Sequence, residues 1–149
     1  MKKIILLLLA FILAACSFGS RSELDKNRQR WQSAGITHYR FTLFIGCFCP
    51  FSDQMPITVE VQNGEVISMK ASDGTPIAAT DPGYETFSRH ATIDRIFSTL
   101  EAGLAGDADE VTVTYDPTYG FPSEINFDYI KNAMDDELSL SVSKFEALN

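Results

Sequence analysis

The sequence predicts an α+β domain: a mostly antiparallel sheet of about six strands with two helices, in the order α-β-β-β-α-β-β-β. Three observations predict it. Apolar and polar residues alternate in a series of short segments, the period of a half-buried strand. Two further segments repeat their apolar residues at helical spacing. Turn chemistry, in Asn63-Gly64 and in Pro117-Thr118-Tyr119-Gly120-Phe121-Pro122, joins strand to strand.

The first helix runs from about Glu23 to Ala34. Leu24, Arg28 and Trp31 share one face, and Gly35 is a good stop. In the strand that follows, Tyr39, Phe41, Leu43, Ile45 and Cys47 point one way and Arg40, Thr42 and Phe44 the other. Residues Ile57 to Ala71 form a hairpin, and the apolar pattern selects its loop. A two-residue Asn63-Gly64 turn pairs Val61 with Val66 and puts Ile67 and Met69 on the face of Thr58 and Glu60. A three-residue loop, Gln62-Asn63-Gly64, pairs Val61 with Glu65, Val59 with Ile67 and Ile57 with Met69. The three-residue loop is the expectation, because it collects the apolar set on one face.

Residues 72–91 hold Asp73-Gly74, Pro76 and Asp81-Pro82-Gly83 and read as a long loop, a length that is often functional. A helix begins at about Thr92. Ile93, Ile96, Phe97, Leu100 and Leu104 are its stripe, Asp94 suits its first turn, and Gly106 lies beyond its end. Three strands finish the chain. Their apolar sets are Val111, Val113 and Tyr115; Ile125, Phe127 and Tyr129; and Leu138, Leu140 and Val142. Helices on one face of such a sheet leave the Thr, Ser, Asn and Asp face wet.

Before this domain stand Met1-Lys2-Lys3, an apolar run from Ile4 to Leu13, and Leu13-Ala14-Ala15-Cys16. That is the pattern of a secretory signal peptide over residues 1–15, ending in a lipobox. The run is shorter than the roughly twenty apolar residues a bilayer span needs. Cys16 is the lipidation residue, residues 16–22 form a lipidated tether, and residues 23–149 form one domain. Ser17, where Asp tends to retain enterobacterial lipoproteins at the inner membrane, leans toward the outer membrane for a Gram-negative source. The expected place is the bacterial cell envelope, facing the periplasm, with the membrane as a partner through lipid on Cys16.

The chain carries 12 basic and 20 acidic residues, a formal net charge of −8. Lys2 and Lys3 lie in the leader, so the mature chain is more acidic still. Such a surface repels nucleic acid and anionic headgroups. Two cysteines follow Cys16, as Cys47-Phe48-Cys49. An oxidising compartment favours a bond between them. In a straight strand their Cα atoms would lie roughly 6.5–7 Å apart, at the edge of disulfide reach. Gly46 and Pro50 can supply the bend that shortens this. Buried free thiols are the competing expectation.

Other chemistry is thinly supported. Cys47 and Cys49 can also be read as a redox dithiol, which needs an exposed, acidified thiol. Cys47, Cys49, His38 and His90 match no zinc spacing, His90 reads as an exposed residue before a helix, and no metal or cofactor is expected. Asp107, Asp109, Asp116, Asp128, Asp135, Asp136 and Glu137 read first as turn-capping and solvated acids, and a patch in which Asp116 and Asp128 face each other on neighbouring strands beside Asp135, Asp136 and Glu137 is the competing reading. No nucleophile motif or phosphate loop accompanies them, so no catalytic residue is assigned. Tyr84, Phe87, Tyr119 and Phe121 sit in loops, where exposed aromatics are common contact residues. Closing the open end of the core is their alternative role.

The order of these features resembles a known family. Tyr39 and Phe41 precede the Cys47/Cys49 pair, the Asn63-Gly64 hairpin comes next, and then the Thr-Ile-Asp-Arg-Ile-Phe helix at 92–97. Tyr115-Asp116, Gly120-Phe121-Pro122, Ile125, Asp128 and Asp136-Glu137 follow. From about Trp31 to Phe145 the chain is similar to small bacterial lipoproteins grouped as domain of unknown function 6174. The resemblance implies fold and address and brings no activity. The resulting expectation is a non-enzymatic binding or scaffold module with an envelope protein partner. Thiol-disulfide exchange through Cys47 and Cys49, or a small periplasmic inhibitor, is the alternative.

Overall fold

Strand β1, His38–Gly46, turns one face to the core because every second side chain on it is apolar. Tyr39, Phe41, Leu43 and Ile45 are buried on one face. The structure, a computed structural model, describes residues 20–131, 133 and 135–148. Five more strands complete the sheet: β2 (Ile57–Gln62), β3 (Glu65–Lys70), β4 (Glu110–Tyr115), β5 (Pro122–Asp128) and β6 (Leu138–Ala147). Their order is β3-β2-β1-β6-β5-β4. Every pairing is antiparallel. The last strand thus returns to the middle, beside β1, and joins the two halves of the sheet.

Two main helices cover one face. Helix α1 spans 20–33 and buries Leu24, Asn27 and Trp31. Helix α3, Ile93–Ala102, buries Ile93, Ile96, Phe97 and Leu100, the stripe its spacing demands. It starts at Thr92, whose side chain accepts a hydrogen bond from the Arg95 N–H at 3.1 Å. A wider turn, Gly103–Asp107, carries the chain from α3 toward β4 and contains Gly106 at a left-handed φ of 114°. The helices meet through Arg28, which donates to the Phe97 carbonyl at 3.2 Å and pairs with Glu101 at 2.9 Å. Trp31 packs edge-on against Tyr39, Phe121 and Phe145.

Three expectations need correction. The hairpin uses the two-residue Asn63-Gly64 turn, both residues left-handed at φ 52° and 80°. It pairs Gln62 with Glu65 and Val61 with Val66, not Val61 with Glu65. The register then shifts, so that Glu60 faces Ser68 and Val59 faces Met69. Ile67 is the extra residue of this bulge and is 52% exposed, while Met69 returns to the core. One inserted residue lets the favoured turn and the apolar face coexist. Residues 72–91 also contain a short helix, α2 (Tyr84–Ser88), held against the core by Phe87. His90 is buried, with Nδ1 3.3 Å from the Thr99 hydroxyl of α3.

Candidate functional site

At the end of β1 the backbone tightens. Cys47 and Cys49 are joined by a disulfide with Cα atoms 5.2 Å apart, and the Cys49 N–H donates to the Cys47 carbonyl at 2.8 Å. This is the shortening that a straight strand could not give. Gly46 has no room for a side chain, because a Cβ there would run into the Ser139 hydroxyl. Bonding residues i and i+2 to each other turns both sulfurs to one side and sends the residue between them outward. Phe48 is accordingly 86% exposed, on a tip whose backbone the bond holds. Both cysteines are half-buried. Cys16 and Ser17 lie outside the described residues.

The four loop aromatics do not form one surface. Phe87 is 1% exposed and packs against Phe51, ring centroids 5.8 Å apart. Phe121 is 2% exposed and lies 4.8 Å from the Phe145 ring. Their expected exposure is corrected: both are core side chains. For Phe121 the cause is a closed turn. Asp116 Oδ1 accepts from the N–H groups of Thr118 at 3.0 Å and Tyr119 at 2.7 Å, and the Asp116 N–H donates to the Phe121 carbonyl at 2.8 Å. Gly120, at φ 81°, lets this turn press on the α1 backbone, where a Cβ would come within 2.7 Å of the Asn27 carbonyl. Tyr84 and Tyr119 remain half-buried. Tyr119 leans on Phe145 at 5.3 Å, and Tyr84 is the first residue of α2.

The acidic residues also separate. Asp128 pairs with Glu110 at one end of the β4–β5 ladder, while Asp116 follows Tyr115 at the other. The two therefore do not face each other. Asp128 lies instead in a recess with Glu110, Asn126 and Glu137. Burial first, then the charges of Asp136, Glu137, Glu110 and Asp109, hold its carboxyl above the usual range. Neighbouring acids tie down the 129–136 loop: Asp136 Oδ2 accepts from the Ile130 N–H at 2.5 Å and Asp109 Oδ2 from the Lys131 N–H at 2.9 Å. Among the described residues, no three His, Cys, Asp or Glu side chains converge as a metal site. A second groove runs between α1 and β4, lined by Glu23, Lys26, Arg30, Tyr115 and Asp116. The Tyr115 hydroxyl is buried there with no hydrogen-bond partner among the described residues, and burial pushes its pKa up to about 12.

Phe48 escaped the sequence reading, although its signal was present. A residue between two bonded cysteines has nowhere to point but out. His90 read as exposed because its partner, the Thr99 hydroxyl, lies nine residues away. Desolvation first, and then the nearby Arg89 charge, push its pKa down to about 4.

No curated protein and no solved structure matches the chain. A family profile does match, over residues 23–147, from early in α1 to the end of β6. The chain belongs to that family, the family of unknown function DUF6174.

Proposed function

We propose that this chain is a lipid-anchored cell-envelope protein, a non-enzymatic binding or scaffold module held at the outer membrane and facing the periplasm. Its cysteines carry the reading. The chain has three, and Cys47 and Cys49 are bonded to each other. That leaves Cys16 as the odd thiol, directly behind Leu13-Ala14-Ala15, where a lipid acceptor belongs. A bridge between the other two suits an exported, oxidised chain. Tyr84 and Tyr119, each partly exposed, are the remaining candidates for contact with an envelope protein. Detergent phase partitioning tests the anchor. The wild-type protein should enter the detergent phase and Cys16→Ala should not, whereas equal partitioning would overturn the anchor.

One observation favours a second reading. Both bonded cysteines are partly exposed, and attack on the bridge by a thiolate from another protein requires such exposure. Thiol-disulfide exchange would then run through Cys47 and Cys49. Incubating the oxidised protein with a reduced client protein separates the readings. Exchange passes through a mixed disulfide, which a second client thiol resolves, so that the client ends oxidised and Cys47 and Cys49 end as thiols, whereas a scaffold keeps its bridge.

A further inference from the structure

We infer that the end of the sheet bearing Phe48 rests on the bilayer, with Phe48 and Ile130 entering a zwitterionic lipid surface. This rests on the lipid-anchor reading above. Three observations place the relevant groups at one end. Gly46 at the end of β1 pairs with Ser139 near the start of β6, and Leu138 pairs with Phe127 near the end of β5. Asp128 then pairs with Glu110, the first residue of β4. Phe48, just past β1, and Ile130, just past β5, therefore leave the sheet at the same end. They are 86% and 62% exposed, and Phe44 on the last turn of the β1 pleat is 46% exposed.

The tether arrives at this same end. Ser20, at the beginning of the described part of α1, lines a cleft with Gly106, Ala108, Asp109 and Glu110. Trp31, further along α1, lies at the opposite end, against Tyr39. Helix α1 thus runs away from the Phe48 end. Four Cα steps separate Cys16 from Ser20, a leash of at most about 14 Å. Three interstrand spacings, about 14 Å, separate β1 from β4. A lipid on Cys16 therefore holds the Ser20 end close to the headgroups, and the exposed side chains beside it are large and apolar. Disulfide bonding fixes the Phe48 tip beforehand, so little order has to be gained on contact.

Charge narrows the surface. Asp107, Asp109, Glu110, Asp128, Asp135, Asp136 and Glu137 crowd this end, with Lys131 among them. Anionic headgroups would be repelled, so the tip enters zwitterionic lipid and weakens its contact as anionic lipid is added.

The test uses the lipidated protein in vesicles of phosphatidylcholine with brominated acyl chains, which quench tryptophan inside the bilayer. Phe48→Trp replaces one exposed ring by another. Tyr119→Trp places the same probe at the other end of the strands, roughly 25–30 Å away at the usual rise. The parent protein supplies the Trp31 background. Flotation with the vesicles reports the anchor, and quenching reports the tip. The inference expects flotation, loss of Phe48→Trp emission and unchanged Tyr119→Trp emission. It also expects less quenching as phosphatidylglycerol replaces phosphatidylcholine. Flotation with an unquenched Phe48→Trp probe overturns the bilayer contact, leaves the anchor standing, and frees the tip for a protein partner. Failure to float overturns the anchor itself.

Discussion

His90 gives a pH dependence whose sign and size follow from its surroundings. The ring is 8% exposed, between α2 and the cap of α3. Burial pushes its pKa from 6.5 to about 4, so the folded protein holds the ring neutral where the unfolded chain would protonate it. Its stabilising contribution is complete above the unfolded pKa and is lost as pH falls from 6.5 toward 4. Across the full window this amounts to about 3 kcal/mol at 1.36 kcal/mol per pKa unit. About 2 kcal/mol of it is lost by pH 5, on the order of 6–10 °C in Tm for a domain of this size. Carboxylates such as Glu60, held below its usual range by His38 and Arg40, lose their contributions mainly at lower pH. Urea unfolding of the wild type and His90→Gln between pH 7.5 and 5 isolates the ring. The expected result is a steeper fall in the wild type, with the gap between the two proteins closing by about 2 kcal/mol. Parallel curves would refute a buried neutral imidazole.

Phe121→Ala should cost about 3–5 kcal/mol in urea unfolding, because the ring is fully packed, while Tyr119→Ala should cost clearly less; equal losses would contradict their different burial. Gly103→Ala should destabilise by roughly 1–3 kcal/mol despite the better helix propensity of Ala, since its Cβ would strike the Phe127 ring; a stabilised variant would contradict that contact. Thiol titration of unfolded Cys16→Ala should find no free thiol before reduction and two after it, and free thiols beforehand would contradict the Cys47–Cys49 bridge.

Much of the architecture was legible because burial on one face writes itself into alternation. Tyr39 to Ile45, Ile125 with Phe127, and Leu140 with Val142 mark their strands without reference to any partner. The α3 stripe and its start at about Thr92 were equally local. The hairpin register was not. A choice between two uniform registers cannot see a bulge, and Ile67 was assigned inward when it is the residue the bulge ejects. Loop aromatics failed for a different reason. Phe87 and Phe121 are buried by Phe51, Trp31 and Phe145, which lie far away in sequence, so their loops look exposed until the fold closes. Turn capping was legible for Asp116, whose carboxylate accepts from the Thr118 and Tyr119 N–H groups, while the competing Asp116–Asp128 pair does not form because antiparallel pairing sends the two to opposite ends. Helix α2 has five residues, too few to show a stripe.

The proposed anchor is a lipid on Cys16. Intact-mass measurement of the protein extracted from its native membranes tests it most directly. The expected species begins at Cys16, lacks residues 1–15, and carries the added mass of a diacylglycerol with its acyl chains, while Cys47 and Cys49 remain joined. A chain that still begins at Met1, or one that begins after the leader with an unmodified Cys16, would contradict the account.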